Sequence, residues 1–402
     1  MSGRIRVLFI VLFFILSVNS DTSYCNSNET TLDMCKLNVT SNTYTISEPI
    51  QISNDSSFDL LGVSGSGTES DPYIIENYEI EINETSGPYY GIEVSGTQKH
   101  FIIRNCYIRG DNTSSSGYGY GIYLRDVSNG QIMSNHLQQI QTLLKIESDT
   151  SDLTIKDNYF DGEADSIYRG LLVSGTNENI LILNNTFYKI DEAISIFSNG
   201  SSIVKNSIVS CERGIILNSC AENIVSENTI KMGMTGFRLE DSDNNLISWN
   251  LVTGNSIGGI IEDGSDNNLL TNNSFTSLQQ DDESYVQGYG LRIRQTSTNN
   301  DIIWNDFIEN TIQIKNDVLG NSFDYNYYSD YVGTDADGNH IGDTSYVISG
   351  DTPENDAHPR LYLLGEEPSS STNQVDPMPI LLLIGFVGLS AIVIIEIFRR
   401  FR

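Results

Sequence analysis

From about residue 90 to 330, apolar residues alternate with polar ones in short runs bounded by Gly, Asn, Asp or Ser. Gly121-Ile122-Tyr123-Leu124, Gly214-Ile215-Ile216-Leu217 and Gly290-Leu291-Arg292-Ile293 each open such a unit. A polar cluster follows, as in Asp241-Ser242-Asp243-Asn244-Asn245, and then a second apolar run. Period-two alternation between turn-forming residues predicts short strands, and no stretch here keeps a helical period.

The second run leads each time to an asparagine: Asn105, Asn135, Asn158, Asn185, Asn206, Asn228, Asn250, Asn273, Asn305 and Asn326. Most intervals are 21 to 23 residues, with longer ones before Asn135, Asn185 and Asn305. Two residues on sits an apolar or aromatic side chain, such as Tyr107, Phe160, Ile230 or Tyr328. A further Asn often stands five residues earlier, at Asn223, Asn245, Asn268, Asn300 and Asn321. A fixed period of this length marks stacked supersecondary units. The chain therefore reads as an all-β solenoid of about ten coils, each of two or three short strands. Stacking at about 4.8 Å per coil gives a rod of roughly 50 Å. Asn suits the corner of a coil because it tolerates the left-handed conformation and its amide bonds to the coils above and below. A β-sandwich would not repeat one Asn column at this period.

Residues 21–90 read as an N-terminal cap and first strands, 91–330 as the repeats, and 331–364 as a C-terminal cap. Three segments interrupt the period: Asp111 to Tyr120, Gly162 to Arg169, and Gln279 to Tyr289. Insertions in a solenoid leave as loops and commonly shape a binding surface. Tyr118 and Tyr120 in the first, and Tyr285 and Tyr289 in the third, are the expected ligand contacts.

The chain has 22 basic and 53 acidic residues, a formal charge of −31. Binding a nucleic-acid backbone takes clustered Lys and Arg, so that partner class is excluded. Arg4 and Arg6 before the apolar run Val7 to Leu16 predict a signal peptide over 1–20. Met378 to Phe398 is almost wholly apolar and is followed by Arg399, Arg400 and Arg402. It is long enough for a transmembrane helix with a cytoplasmic basic tail at 399–402, reached through a linker at 365–377. The expected location is the cell membrane, single-pass, with the N-terminal body outside. Asn-x-Ser/Thr sequons at Asn28, Asn38, Asn54, Asn83, Asn112, Asn184, Asn199 and Asn272 agree with an outside body. In an oxidising compartment Cys25 is expected to pair with Cys35, and Cys211 with Cys220. Cys106 is left over and is expected to point away from the coil interior, as His136 does after Asn135.

With its flanking motifs the repeat resembles the right-handed parallel β-helix of the NosD type, a group that also resembles carbohydrate-binding proteins and sugar hydrolases. The first motif is Pro49-Ile50-Gln51-Ile52, Phe58, then Gly65-Ser66-Gly67-Thr68-Glu69-Ser70-Asp71-Pro72-Tyr73-Ile74-Ile75. The second is Asn326-Tyr327-Tyr328-Ser329-Asp330-Tyr331, followed by Gly333 to Asp343. Both are similar to segments of secreted archaeal members, and the resemblance covers about residues 46 to 361. The fold hosts binders, lyases, hydrolases and structural proteins, so it does not choose among them.

Three constellations could carry chemistry. Asp335, Asp337, Asn339, Ile341 (through its carbonyl) and Asp343 follow the alternating oxygen pattern of a Ca²⁺ loop. The sixth position is His340 where such loops want Gly, and Val347 stands where a bidentate Glu would be. Counting back from Asn250 and Asn273, Glu240 falls in register with Asp263, and Asp243 with Asp266. Carboxylates on adjacent coils, about 5 Å apart, can divide acid and base roles. Asp243 and Asp266 also suit turn capping. Lyases of this fold use Lys or Arg beside Ca²⁺, and here Arg213 and Arg238 stand near the starts of adjacent repeats without an evident compact cluster. Copper, which the NosD name implies, needs grouped Cys, Met or His. The four His, at 100, 136, 340 and 358, are scattered, and Met232 and Met234 suit packing. The resulting expectation is a surface β-helix that binds glycans or surface proteins without catalysis. A Ca²⁺-dependent polysaccharide lyase or glycoside hydrolase is the first alternative, and a surface-layer component the second.

Overall fold

The computed structural model describes residues 44–82, 89–110, 119–162, 169–276, 288–351 and 353–366. The segments 1–20 and 378–398, Cys25, Cys35, Tyr118 and Tyr285 lie outside the described residues.

The strands pair in parallel into three long sheets, each visited once per turn of the chain. Face 1 holds twelve strands, from Thr45–Ser47 to Tyr327–Tyr328. Face 2 holds eleven, from Ile50–Ile52 to Ile312–Asn316, and face 3 holds eleven, from Tyr73–Glu76 to Ser322–Asp324. The chain runs face 2, face 3, face 1 and then rises one coil. This is a parallel β-helix, slightly longer than the ten coils that the Asn spacing suggests.

The residue one step after each corner Asn points outward and the next points in. Leu137, Phe160, Phe187, Ile208 and Ile230 therefore stack directly above one another in the core of face 1. Aromatic members stack ring on ring, as Phe160 on Phe187 at 4.6 Å and Phe275 on Phe307 at 5.1 Å.

The corner between faces 3 and 1 is an amide ladder from Asn135 to Asn326. Each Oδ1 accepts the backbone N–H of the residue one coil earlier, and its amide N–H as well where that residue is Asn, at 2.9–3.1 Å. Each Nδ2 also donates to a backbone carbonyl of the preceding coil, as Asn228 does to Ile203. Asn223 to Asn321 build a second ladder at the corner between faces 2 and 3.

Two expectations at this corner are corrected. The left-handed residue is the one before the ladder Asn, and it is Lys205, Glu227, Trp249, Trp304 or Tyr325 as readily as Asn184. The conformation costs an L-residue about 1 kcal/mol. The ladder amides, together with backbone bonds such as Lys205 N–H to the Ser226 carbonyl, hold it in place. Asn105 is one such left-handed residue (φ 51°), so the ladder position of that coil is Cys106. Cys106 therefore points in and is 1 % exposed; its backbone N–H bonds to Asn135 Oδ1, and its thiol lies 3.4 Å from the Arg104 carbonyl.

The Cys211–Cys220 pairing is also corrected: both thiols are free and buried. They occupy the corners at the two ends of the face 2 strand Arg213–Asn218. Six extended residues span about 20 Å, far beyond disulfide reach.

Both ends of the rod are closed. A short helix, α1 (Asp55–Leu61), capped by Asn54 and ended by Gly62 at φ 73°, puts Phe58 into the core against Tyr73 at 4.3 Å. At the other end Asp356, fully buried, accepts from the N–H and amide of Asn326 and so completes the ladder. Arg360, also fully buried, pairs with Asp306 at 2.7 Å and donates to the carbonyls of Asn305, Tyr325 and Tyr362.

Candidate functional site

The outer surface of face 2 differs from the rest of the rod. Eight of the sixteen described Lys and Arg lie on it, against six of the forty described Asp and Glu. They sit at outward positions of strands that open with Gly, so they stack in columns one coil apart. Tyr123 adjoins Lys145, and Arg292 adjoins Lys315, in a single column.

Three groups line up along the rod. Towards the N-terminal end, Tyr120 stacks on Tyr123 at 5.1 Å, and Lys145 Nζ lies 5.2 and 5.8 Å from the two rings. The same ammonium is 3.1 Å from Glu147, which also accepts the Tyr123 hydroxyl. Arg125 also lies over the Tyr123 ring at 5.9 Å, and buried Glu93 accepts from Gln51 at 2.8 Å. In the middle, Glu192 is held between Arg169 (2.9 Å) and Arg213 (2.7 Å). Further on, Glu262, 1 % exposed, is clamped between Arg238 and Arg294, while Glu240 takes Arg238 and the Asn218 amide. The compact basic-plus-acidic clusters that the sequence did not reveal are therefore present.

The edges of face 2 are equally particular. The segments 83–88, 111–118, 163–168 and 277–287 each join the end of a face 1 strand to the start of a face 2 strand. In chain order, four connections thus fall between a face 1 strand and the face 2 strand that follows it. At one edge Phe197, 39 % exposed, lies beside a shallow depression of about 450 Å³ that Asn179, Asn199 and Glu222 help to line.

Burial, with the hydrogen bond to Glu147, pushes the Tyr123 hydroxyl well above its ordinary pKa. The same hydrogen bond holds Glu147 below the ordinary carboxylate range, with Lys145 assisting. The phenol keeps its proton and the carboxylate stays ionised. The pair is a fixed donor and acceptor set, poorly matched to proton transfer near neutrality.

The acidic pairs fall out differently from the sequence count. Glu240 stacks on Glu262, not on Asp263, because one extra residue lies between Glu262 and Asn273; Asp263 takes a left-handed corner position (φ 56°). Asp243 and Asp266 do share a column, but Asp243 Oδ1 caps the Asp266 N–H at 2.7 Å and Asp266 caps Thr298 at 2.6 Å. Tyr120 stands on face 2 beside Tyr123. Tyr289 starts a face 2 strand and is 7 % exposed, packed with Ile257, Ile260 and Ile312. In the Asp335–Asp343 loop, Asp335 accepts from Asn339 and His340 N–H, Asp337 from Asn339, and Asp343 from Ala336. His340 takes the left-handed conformation at φ 65°. Among the described residues no three His, Cys, Asp or Glu converge as metal ligands would.

Residues 105–284, under half of the chain, match the protein family described as Periplasmic copper-binding protein (NosD). The repeat is of the NosD type. Solved structures with a similar fold include the enzymatically active domain of bacteriophage CBA120 tailspike protein 2. It is 11 % identical, with 74 % of this chain and 48 % of that chain covered and a TM-score of 0.51. Another is the A-module of the Azotobacter vinelandii mannuronan C-5 epimerase AlgE4, at 12 % identity, coverage of 68 % and 95 %, and a TM-score of 0.39. The chain spans about half the length of the tailspike domain, and the likeness is one of fold. No curated protein gives a significant match.

The NosD match corrects the expected location. The family is described as periplasmic, and no helix among the described residues is long and apolar enough to cross a membrane. A single-pass cell-membrane protein with a cytoplasmic C-terminus is not supported. The copper in the family's description also lacks a fitting donor set among the described residues of the matched stretch. Cys106, Cys211 and Cys220 are buried at separate corners, and His136 lies between the rings of Tyr107 and Tyr159; Met232 and Met234, expected to pack, are instead 48 % and 45 % exposed, and two thioethers by themselves are a sparse donor set.

Proposed function

We propose that this protein binds a glycan chain, without catalysis, along the outer surface of face 2. The observation that carries the reading is the concentration of carboxylate-paired Lys and Arg on this one face, with Tyr120 and Tyr123 among them. Sugars offer hydroxyls that both donate and accept, and apolar ring faces that pack on aromatics. Pre-oriented guanidinium–carboxylate pairs supply both roles at fixed places, and Tyr120, Tyr123 and Phe197 supply the flat surfaces. Coils about 4.8 Å apart repeat at close to the length of one sugar ring, so an extended glycan can meet a new outward group at each coil.

A polysaccharide co-sedimentation screen with the purified protein, with product analysis, tests this. Tyr123→Ala should weaken binding of any retained glycan by about tenfold. Unsaturated or shortened products would replace the binder with a lyase or hydrolase. Retention unchanged in Tyr123→Ala would move the site off face 2, and ordered self-assembly without retention would favour the surface-layer role. Calcium at the Asp335–Asp343 loop belongs to the same proposal, supported by the left-handed His340. A rise in melting temperature with millimolar Ca²⁺ that is lost in Asp335→Asn is its expected result.

A further inference from the structure

We infer that the glycan is an acidic one, and that Arg292 and Lys315 at the C-terminal end of face 2 form a subsite for its carboxylate. The inference rests on the glycan reading of face 2 and adds the charge of the ligand. Arg292 and Lys315 are neighbours on adjacent strands and share a single carboxylate, Asp317, at 3.9 and 3.5 Å. Elsewhere on this face the cations are held at close range: Glu192 holds two arginines at 2.9 and 2.7 Å, and Glu262 and Glu240 together hold Arg238 and Arg294. At Arg292 the ion-pair contact is long, and the buried Nε–H has no hydrogen-bond partner at all. A buried donor left unpaired is costly and rare. Here the Tyr289 ring, 5.3 Å from the guanidinium carbon, holds the group in place. The Arg292 and Lys315 side chains are 29 % and 28 % exposed, and the exposed part of a planar guanidinium beside a lysine ammonium matches a carboxylate.

The charge map supports the same conclusion. The whole chain carries −31, yet the outer positions of face 2 carry eight cations against six anions. With screening over about 8 Å at physiological salt, a ligand lying on face 2 meets the local balance and not the total. That balance is too slight for a phosphate at every unit, which takes a dense basic surface. It suits a sugar polymer whose carboxylates are few and spaced, with hydroxyls for the remaining Arg–Glu pairs.

The test uses the full chain with polygalacturonate, its methyl ester, neutral polysaccharides and polyacrylate, at low and high salt. Polygalacturonate or another uronate polymer should be retained over its neutral form, with affinity falling as salt rises. Arg292→Gln and Lys315→Gln should each cut acidic-polymer affinity by about tenfold and change neutral-polymer affinity by less than about twofold. Lys205→Gln, on a distant corner, controls for net charge. Retention of neutral glycans alone would overturn the inference and leave the glycan reading standing. Acidic binding unchanged in both variants would remove the subsite. Polyacrylate bound through Arg292, with no glycan retained, would keep the carboxylate subsite and sink the glycan reading.

Discussion

The Asn corner and the outer surface of face 2 are built on the same coils, yet they follow opposite rules. At the corner one residue type recurs on nine successive coils, and each rung repeats the same bonds at 2.9–3.1 Å. On face 2 a single column reads Tyr123, Lys145, Leu172, Ser195, Ile216, Arg238, Ile260, Arg292, Lys315. A stacking bond must be satisfied identically on every coil, so selection for the fold produces uniform columns. Recognition of a ligand needs different groups at different heights. In a solenoid, uniform columns mark the scaffold, and outward columns are free to vary from coil to coil.

The comparison is most exposed to failure at the ladder. Asn228→Ala removes the acceptor of the Asn206 N–H and the donor to the Ile203 carbonyl, both buried. A loss of about 3 kcal/mol is expected in denaturant unfolding. A loss under about 1 kcal/mol would break the link between uniformity and scaffold. On face 2 the expectation reverses: Lys145→Met should cost less than about 1 kcal/mol while weakening glycan retention.

Asp356 sharpens the picture where the ladder ends. Burial raises its pKa, despite the hydrogen bonds from Asn326. In the window between the unfolded and the folded value, the folded chain keeps a proton that the unfolded chain has lost. Stability is therefore fully present below the unfolded value and falls as pH rises through that window. Asp356→Asn, which supplies an amide like the other rungs, should flatten this decline relative to the parent chain. A parallel pH profile in both proteins would exclude Asp356 as its source. The smallest effect concerns Cys106 and Cys211, whose thiols burial pushes up to about 12. Neither should react with iodoacetamide in the native state, and both should react on unfolding. Native labelling would show that the corners open.

The sequence by itself determined the solenoid, the strand content and both Asn ladders. A 22-residue period with in-facing apolar residues has few other solutions, and Asn at a constant offset is legible without coordinates. It also put Asp243 and Asp266 in turns that cap backbone. Only the tertiary structure decided three things. The ladder position at the first Asn is Cys106, because the left-handed corner residue precedes the rung by one and can be almost any type. Glu240 meets Glu262 because a single extra residue in one turn shifts the count, which spacing alone does not resolve. The charged and aromatic columns of face 2 depend on which side of a strand faces out. Period fixes that the coils stack; the register of strand on strand, set by the packing of the core, fixes what the outside presents.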